Sequence, residues 1–236
     1  MEKWPIPFAP TIFLRFPGRI CSMMKSDNTG EKHFLRVARI KSRSRVLGPG
    51  DRTIIWFYGC SKRCPGCIAQ SMNSSGEFHE YLPEDLASIV LNIQFTHGIT
   101  ISGGEPLEQD IPALKEFLSR VRLAGKSIIC YSGMKYEDIR DDSKKQGLLS
   151  LIDLLIDGEY REEENNGAPL RGSDNQRFFF LTDRFSAEKD LMLRKCREIE
   201  FDLGMDNSLE ITGIPERGFL KKIEQEFNSR GLEISW

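Results

Sequence analysis

Thr53-Ile-Ile-Trp-Phe-Tyr-Gly-Cys-Ser-Lys-Arg-Cys-Pro-Gly-Cys67 decides how this chain is read. Its opening, Thr53 to Tyr58, is a continuous β-branched and aromatic run, the pattern of a strand buried on both faces. Directly after it, Cys60, Cys64 and Cys67 crowd three thiols into eight residues, close enough to converge on one inorganic ion or cluster. A 4Fe-4S cluster has four irons and usually takes four thiolates, so three cysteines leave one iron open to a non-protein ligand. Zinc is the alternative, completed by a histidine among His33, His79 and His97. Structural zinc sites usually pair their ligands as two knuckles, however, and the sequence has no second one. Cys21, Cys130 and Cys196 stand singly. Cys130, within Ser127-Ile-Ile-Cys-Tyr131, reads as a small buried apolar side chain. A chain of 236 residues with 39% hydrophobic side chains can build a core without disulfides.

Around that loop the pattern alternates. A strand is expected over 33–40, and then Thr53–Tyr58. Glu84 to Ile93 forms an amphipathic helix behind Pro83, with Leu86, Ile89, Val90 and Ile93 on one face. Strands follow at 98–102, 127–131 and 151–156, with a helix over 111–121. Strands separated by helices of this length imply βαβ units, so the expected fold is α/β: a partial (β/α) barrel with a mostly parallel sheet. Ligands of such sheets bind beyond the carboxyl ends of the strands, where the cysteine loop lies. Asp157 falls at one such end, where a turn or cap is an equally good account of it.

Residues 1–32 read as an N-terminal extension or linker. They carry four of the 11 prolines and end in the polar stretch Lys25-Ser-Asp-Asn-Thr-Gly-Glu-Lys32, and Met23 or Met24 could mark the translation start. The proline-broken beginning lacks the apolar core of a secretory signal, and no run approaches the roughly 20 apolar residues of a bilayer span, so no membrane role is expected. With 33 basic against 35 acidic side chains, no nucleic-acid partner is implied. A reducing cytoplasm suits exposed cluster thiolates. The charged run Glu159 to Asn166 reads as a solvated loop.

Ser102-Gly-Gly-Glu-Pro106 closes the strand over 98–102 and, taken alone, is a tight turn. Together with the spacing C-x3-C-x2-C it resembles the radical S-adenosyl-L-methionine (SAM) enzymes, in which such cysteines hold a 4Fe-4S cluster and a Gly-Gly-Glu-Pro segment binds the SAM amino group. The resemblance implies Cys60, Cys64 and Cys67 as cluster ligands and Ser102, Gly103, Gly104 and Glu105 at SAM. A cation there needs carbonyl oxygens and a carboxylate, and glycines would let the backbone approach it. It also implies reductive cleavage of SAM to methionine and a 5′-deoxyadenosyl radical, which takes hydrogen from a substrate. No protein acid or base is needed for that step.

Leu47-Gly-Pro-Gly-Asp-Arg52, Tyr131-Ser-Gly133, Leu154-Leu-Ile-Asp-Gly158 and Leu170-Arg-Gly-Ser-Asp-Asn-Gln176 are similar to segments of the anaerobic ribonucleotide reductase activating proteins. These belong to the activases of glycyl-radical enzymes. The likeness runs from about Lys41 to Gln176 and implies Ser132 and Asp157 as further cofactor contacts. The implied partners are a glycyl-radical enzyme, resembling an anaerobic ribonucleotide reductase, and a flavodoxin or ferredoxin-type electron donor. Two features depart from the pattern: Ile68 and Ala69 stand where activases commonly carry an aromatic residue and asparagine, and the chain continues well beyond Gln176. The expected organisation is therefore an extension to residue 32, a radical SAM core over 33–176 and a C-terminal extension over 177–236 packed on the core. In that tail a hairpin over 197–202 and 208–212, a helix over 216–229 and a strand over 231–234 are expected. Two other readings stay open: a radical SAM enzyme acting on a peptide or small molecule, and a non-catalytic zinc or iron-sulfur binding module.

Overall fold

Leu35–Ser44 (β1) and Arg52–Phe57 (β2) pair antiparallel, and the cysteine loop leaves β2 at its carboxyl end. This is the start of a computed structural model that describes residues 32–74, 76–194, 196–204 and 209–231. The start at Met23 or Met24, the turn at 205–207 and, but for its first residue, the strand expected over 231–234 lie outside the described residues. Next come the single turn Ser71–Ser74 (α1), the edge strand His79–Tyr81 (β3), Pro83–Leu91 (α2), Gly98–Gly103 (β4), Ile111–Leu123 (α3) and Ser127–Ser132 (β5). The short helices Tyr136–Asp141 (α4) and Gln146–Leu149 (α5) lead to Leu154–Asp157 (β6), and Arg177–Phe180 (β7) completes the sheet in the order β3-β1-β2-β4-β5-β6-β7.

The inner four strands, β2, β4, β5 and β6, are all parallel, and β1, β3 and β7 add antiparallel edges. The architecture is thus α/β, with helices crossing between parallel strands as in a partial barrel. Strand alternation sorts the core into two faces. Ile55, Phe57, Ile99, Ile101, Ile128, Cys130 and Leu155 face Leu86, Val90, Leu114, Phe117, Leu118 and Val121 of α2 and α3. Ile54, Ile129, Leu154 and Ile156 face away from these helices, toward Val46, Leu47, Phe185 and Met192. Two buried faces explain why β2 carries no polar alternation.

Helix α3 starts where expected because Asp110 accepts the Ala113 amide at 2.9 Å and Pro112 occupies the first turn. The strand expected over 151–156 starts three residues late. Leu151 still closes a turn onto Leu148, and Asp153 is buried, accepting from Ile128 N, Arg122 and Thr182. The apolar letters of Leu151 and Ile152 therefore belong to a connection packed into the core rather than to a strand. Strand β1 runs four residues past the expected end. Its polar half, Lys41 to Ser44, meets the hairpin of Ile199–Leu203 (β8) and Leu209–Gly213 (β9), which follows Lys189–Arg194 (α6). Lys41 pairs with Asp202 and, at 3.4 Å, with Glu200, and Arg39 pairs with Glu210. Phe219–Ser229 (α7) starts at Gly218, whose φ of +75° is left-handed, rather than at Glu216.

Candidate metal centre

Phe57 ends β2, and the backbone then turns outward under close control. Tyr58 N donates to Arg36 O at 2.8 Å, and Gly59 N to Met72 O at 2.8 Å, so both ends of the cysteine segment are tied together. Cys67 N donates to Cys64 O at 3.3 Å, closing a turn in which Gly66 takes a φ of +71°. Ser61 gives both its amide, at 2.8 Å, and its hydroxyl to Glu108, and Arg63 donates to Cys60 O at 2.6 Å. Lys62 reaches across Gly133 to Glu159 at 2.6 Å. Glu108 carries no sequence signal of a role at this loop, and Glu159 opens the run expected as a solvated loop.

Cys60, Cys64 and Cys67 are all half-buried, whereas Cys130 is buried on β5 and Cys196 is exposed. Burial pushes the Cys60 thiol up to about 11, opposed by a backbone hydrogen bond at Lys62 and helped by the nearby Glu105, Glu108 and Cys67 charges. Cys67 is raised for the same leading reason, with the Cys64 charge adding to it. Thiols that resist ionisation together need a compact positive centre to become thiolates. An iron-sulfur core fits this donor set. Among the described residues no three His, Cys, Asp or Glu side chains meet as ligands of a single ion. The histidines are engaged elsewhere: His33 with Asp110 at 2.8 Å, His97 with the Asp51 amide at 3.2 Å, and His79 edge-on to Tyr81.

Ser102, Gly103, Gly104 and Glu105 come off β4 directly beside this loop, because Ser102 and Gly103 pair in register with Trp56 and Phe57. Gly104 N donates to Phe57 O and Glu105 N to Gly59 O, both at 2.8 Å. A Cβ on Gly104 would collide with the Gly59 carbonyl oxygen and lie 2.7 Å from its carbon. Close packing of one loop on the other is thus a demand on Gly104 beside the ligand approach that the sequence predicts. Gly103, at φ +97°, would likewise place a Cβ 2.7 Å from Phe57 N.

Glu105 is buried and accepts from Leu107 N at 3.1 Å, Ser132 Oγ at 2.8 Å and Gly133 N at 2.7 Å. Burial raises its carboxyl to about 7, against the pull of those three donors. Ser132 thus serves Glu105, and its Oγ in turn accepts from Met134 N at 3.0 Å. Together they lock the ends of β4 and β5. Asp157 stands beside Ser132 in the sheet register, but its own oxygens are engaged by other partners. At the end of β6 it is fully buried, accepting from Tyr136 N at 2.6 Å and from Arg177 Nε at 3.0 Å. Arg177 also grips Glu137 at 2.7 Å, which pulls the Glu137 carboxyl down to about 2. The 170–176 loop is knitted to itself: Gln176 accepts from Gly172 N at 2.7 Å and donates to Gly158 O at 2.8 Å, while Arg171 donates to Gln176 O at 2.9 Å.

Parallel strands that deliver three thiols and a buried carboxylate to one carboxyl edge define an α/β iron-sulfur protein. The family model described as "4Fe-4S single cluster domain" matches residues 46–179. The anaerobic ribonucleoside-triphosphate reductase-activating protein of Enterobacteria phage T4 is 33% identical over 145 residues, covering 58% of this chain and 89% of the relative. The protein of that name from Vibrio cholerae is 32% identical over 139 residues, with 56% and 88% covered, and that from Escherichia coli K12 is 30% identical over 139 residues, with 56% and 89% covered. The chain belongs to the family of anaerobic ribonucleoside-triphosphate reductase-activating proteins. A solved structure of QueE from Escherichia coli overlaps 42% of this chain and 53% of its own at TM-score 0.35 and 14% identity, too partial a likeness to bear on the assignment.

Proposed function

We propose that this protein is a radical SAM activase that forms a glycyl radical on a partner enzyme, an anaerobic ribonucleotide reductase. The observation that carries the reading is the junction of the cysteine loop with the Ser102–Glu105 loop at the carboxyl edge of β2 and β4, in a chain whose relatives bear that name. When bound, the cluster and SAM supply one-electron chemistry that removes a hydrogen atom from a backbone glycine of the partner. The protein's own residues then have three tasks. Cys60, Cys64 and Cys67 hold the cluster. Ser102 to Glu105 present backbone carbonyls and the Glu105 field to the SAM ammonium, with Ser132 and Gly133 fixing that carboxylate. Asp157 is a positioning residue, since its oxygens serve Tyr136 N and Arg177 and so fix where β6 ends.

A flavodoxin or ferredoxin-type donor supplies the electron, and the cytoplasm is the place of action. Among the described residues no helix is long and apolar enough to cross a membrane. The test mixes anaerobically reconstituted protein, SAM, a reductant and the glycyl-radical reductase of the same genome. Electron paramagnetic resonance should show a carbon-centred radical on the partner that grows with SAM consumed. SAM cleavage without any partner radical would overturn the activase role in favour of a peptide or small-molecule substrate. Stoichiometric zinc without iron would overturn the radical chemistry itself.

A further inference from the structure

At the opposite end of the sheet from the cysteine loop, where β2, β4 and β5 begin, lies a cavity of about 490 Å³. That volume lies within the range of small-molecule sites, about 300–1,000 Å³. Its wall includes Arg52 of β2 and residues beyond 179, where the family match ends: Arg184, Phe185, Glu188, Met192 and Arg197. The activating proteins that match 58% of this chain therefore do not account for it.

Its charge pattern is unusual for a packing defect. Arg52 is fully buried, and its guanidinium donates only to neutral oxygens: Thr100 Oγ1 at 2.8 Å, Ser127 Oγ at 2.9 Å, Ser127 O at 3.2 Å, Pro49 O at 3.5 Å and Ile99 O. Arg197 likewise ends on Ala168 O, Asn165 Oδ1, Pro215 O, Arg171 O and Gly172 O. Burial pushes Arg52 down to about 9 and lowers Arg197 as well. The carboxylate that most offsets Arg52 is Asp153, already engaged by Arg122 and Thr182; Glu216 and Asp174 act on Arg197. Four arginines border the cavity, Arg45 with the three named, against the two carboxylates of Glu188 and Glu198. Arg45 is held by Asp51, whereas Arg184 spends one nitrogen on Gly125 O at 2.6 Å. Glu188 Oε2 is buried without a hydrogen-bond partner among the described residues. A buried and a half-buried cation whose partners are neutral favour an incoming anion, and an unmatched carboxylate oxygen favours an incoming donor.

We propose that this cavity is a second small-molecule site, for an organic anion that carries an apolar body and at least one hydrogen-bond donor. The apolar body packs on Phe185 and Met192, the anionic end lies toward Arg184 in the field of Arg52 and Arg197, and the donor meets Glu188. Carboxylates and phosphates share this chemistry, and two probes separate them: indole-3-acetate and cytidine monophosphate. Each is compared with its uncharged relative, indole-3-ethanol or cytidine, by calorimetry and thermal melting of the full chain without SAM. At least one anion should bind with Kd below about 1 mM and raise Tm accordingly, its uncharged relative binding at least about tenfold more weakly. Met192→Trp, which fills the cavity, should abolish binding. Arg184→Ala, at an exposed position, should weaken it at least about fivefold without loss of fold. The proposal is overturned if neither anion binds, if the uncharged relatives bind equally well, or if Arg184→Ala leaves affinity unchanged. Because no cluster or partner is involved, failure here leaves the activase reading untouched.

Discussion

Gly104 lies against Gly59, its amide on Phe57 O and its neighbour's amide on Gly59 O, so the loop expected at SAM and the loop carrying the cysteines share one backbone seam. A side chain at position 104 cannot be added without moving the residue that precedes Cys60. Gly104→Val should therefore lose iron together with SAM affinity, whereas a glycine needed only for ligand approach would lose SAM affinity alone. Iron and sulfide analysis after anaerobic reconstitution decides between them, and a full cluster in the variant refutes the seam.

The three half-buried thiols are separable from the rest by substitution. Serine at Cys60, Cys64 or Cys67 should abolish the brown colour and the content of about four irons per chain. Cys130→Ala should keep both, because Cys130 is buried in the core between the helices and the sheet. Its cost is a small cavity, about 1 kcal/mol of stability. Loss of iron in Cys130→Ala at unchanged folding would reassign the ligand set.

Much of this was legible because the signals were local. The β-branched run of Thr53–Tyr58, Pro83 and Pro112 in first helical turns and the cysteine spacing each act through near neighbours. What escaped depends on distant partners. Arg177-Phe-Phe-Phe180 reads as the start of a tail, yet it is the last strand of the main sheet because Asp157 waits opposite Arg177. Lys41 to Ser44 looks too polar for a strand until the acidic hairpin of β8 and β9 is placed against it. The strand that Ser102 and Gly103 close is where the sequence predicts it, but the steric partner of Gly104, Gly59, is 45 residues earlier and no periodicity links the two.

Glu105 provides a pH test. Its carboxyl, near 4.5 when unfolded, rises to about 7 on burial, so the native state holds a proton that the unfolded state releases. Stability from this group is therefore greatest below about pH 4.5 and is lost as pH climbs through 7, by a few kcal/mol in all. Glu105→Gln should flatten that decline while costing the variant one acceptor for its three donors. Urea midpoints of the cluster-free protein at pH 5 and pH 7.5 measure it, and an equal slope in wild type and variant would remove Glu105 as the cause.

Arg177 neutralises a fully buried Asp157 while itself standing partly in solvent. Arg177→Met should cost about 1–3 kcal/mol, less than a wholly buried pair because the arginine is partly exposed. A paired Arg177→Met, Asp157→Asn variant should recover part of the loss in urea unfolding, since the stranded charge is gone. No recovery would mean that the Tyr136 amide, rather than Arg177, dominates at Asp157.

Arg171 separates holding the cofactors from presenting them. Its guanidinium donates to Gln176 O at 2.9 Å and Asp174 O at 3.4 Å and lies 5.2 Å from the centre of the Phe178 ring, so it acts on the shape of the 170–176 loop and touches no cysteine. Gln176 fastens that loop to Gly158, just past β6, at the carboxyl edge that the proposed function assigns to the partner's glycine. Arg171→Ala should leave the iron content intact and slow uncoupled SAM cleavage little, while the loop becomes open to limited proteolysis between residues 159 and 176 and the partner radical falls. Arg171→Lys keeps the charge but lacks the flat guanidinium that lies over the Phe178 ring, so it should restore only part of the protection. Mass spectrometry of the cleavage products and electron paramagnetic resonance of the mixture give independent readings. A loop as protected as wild type with normal radical yield would remove Arg171 from partner presentation, whereas a loosened loop with normal yield would confine it to folding.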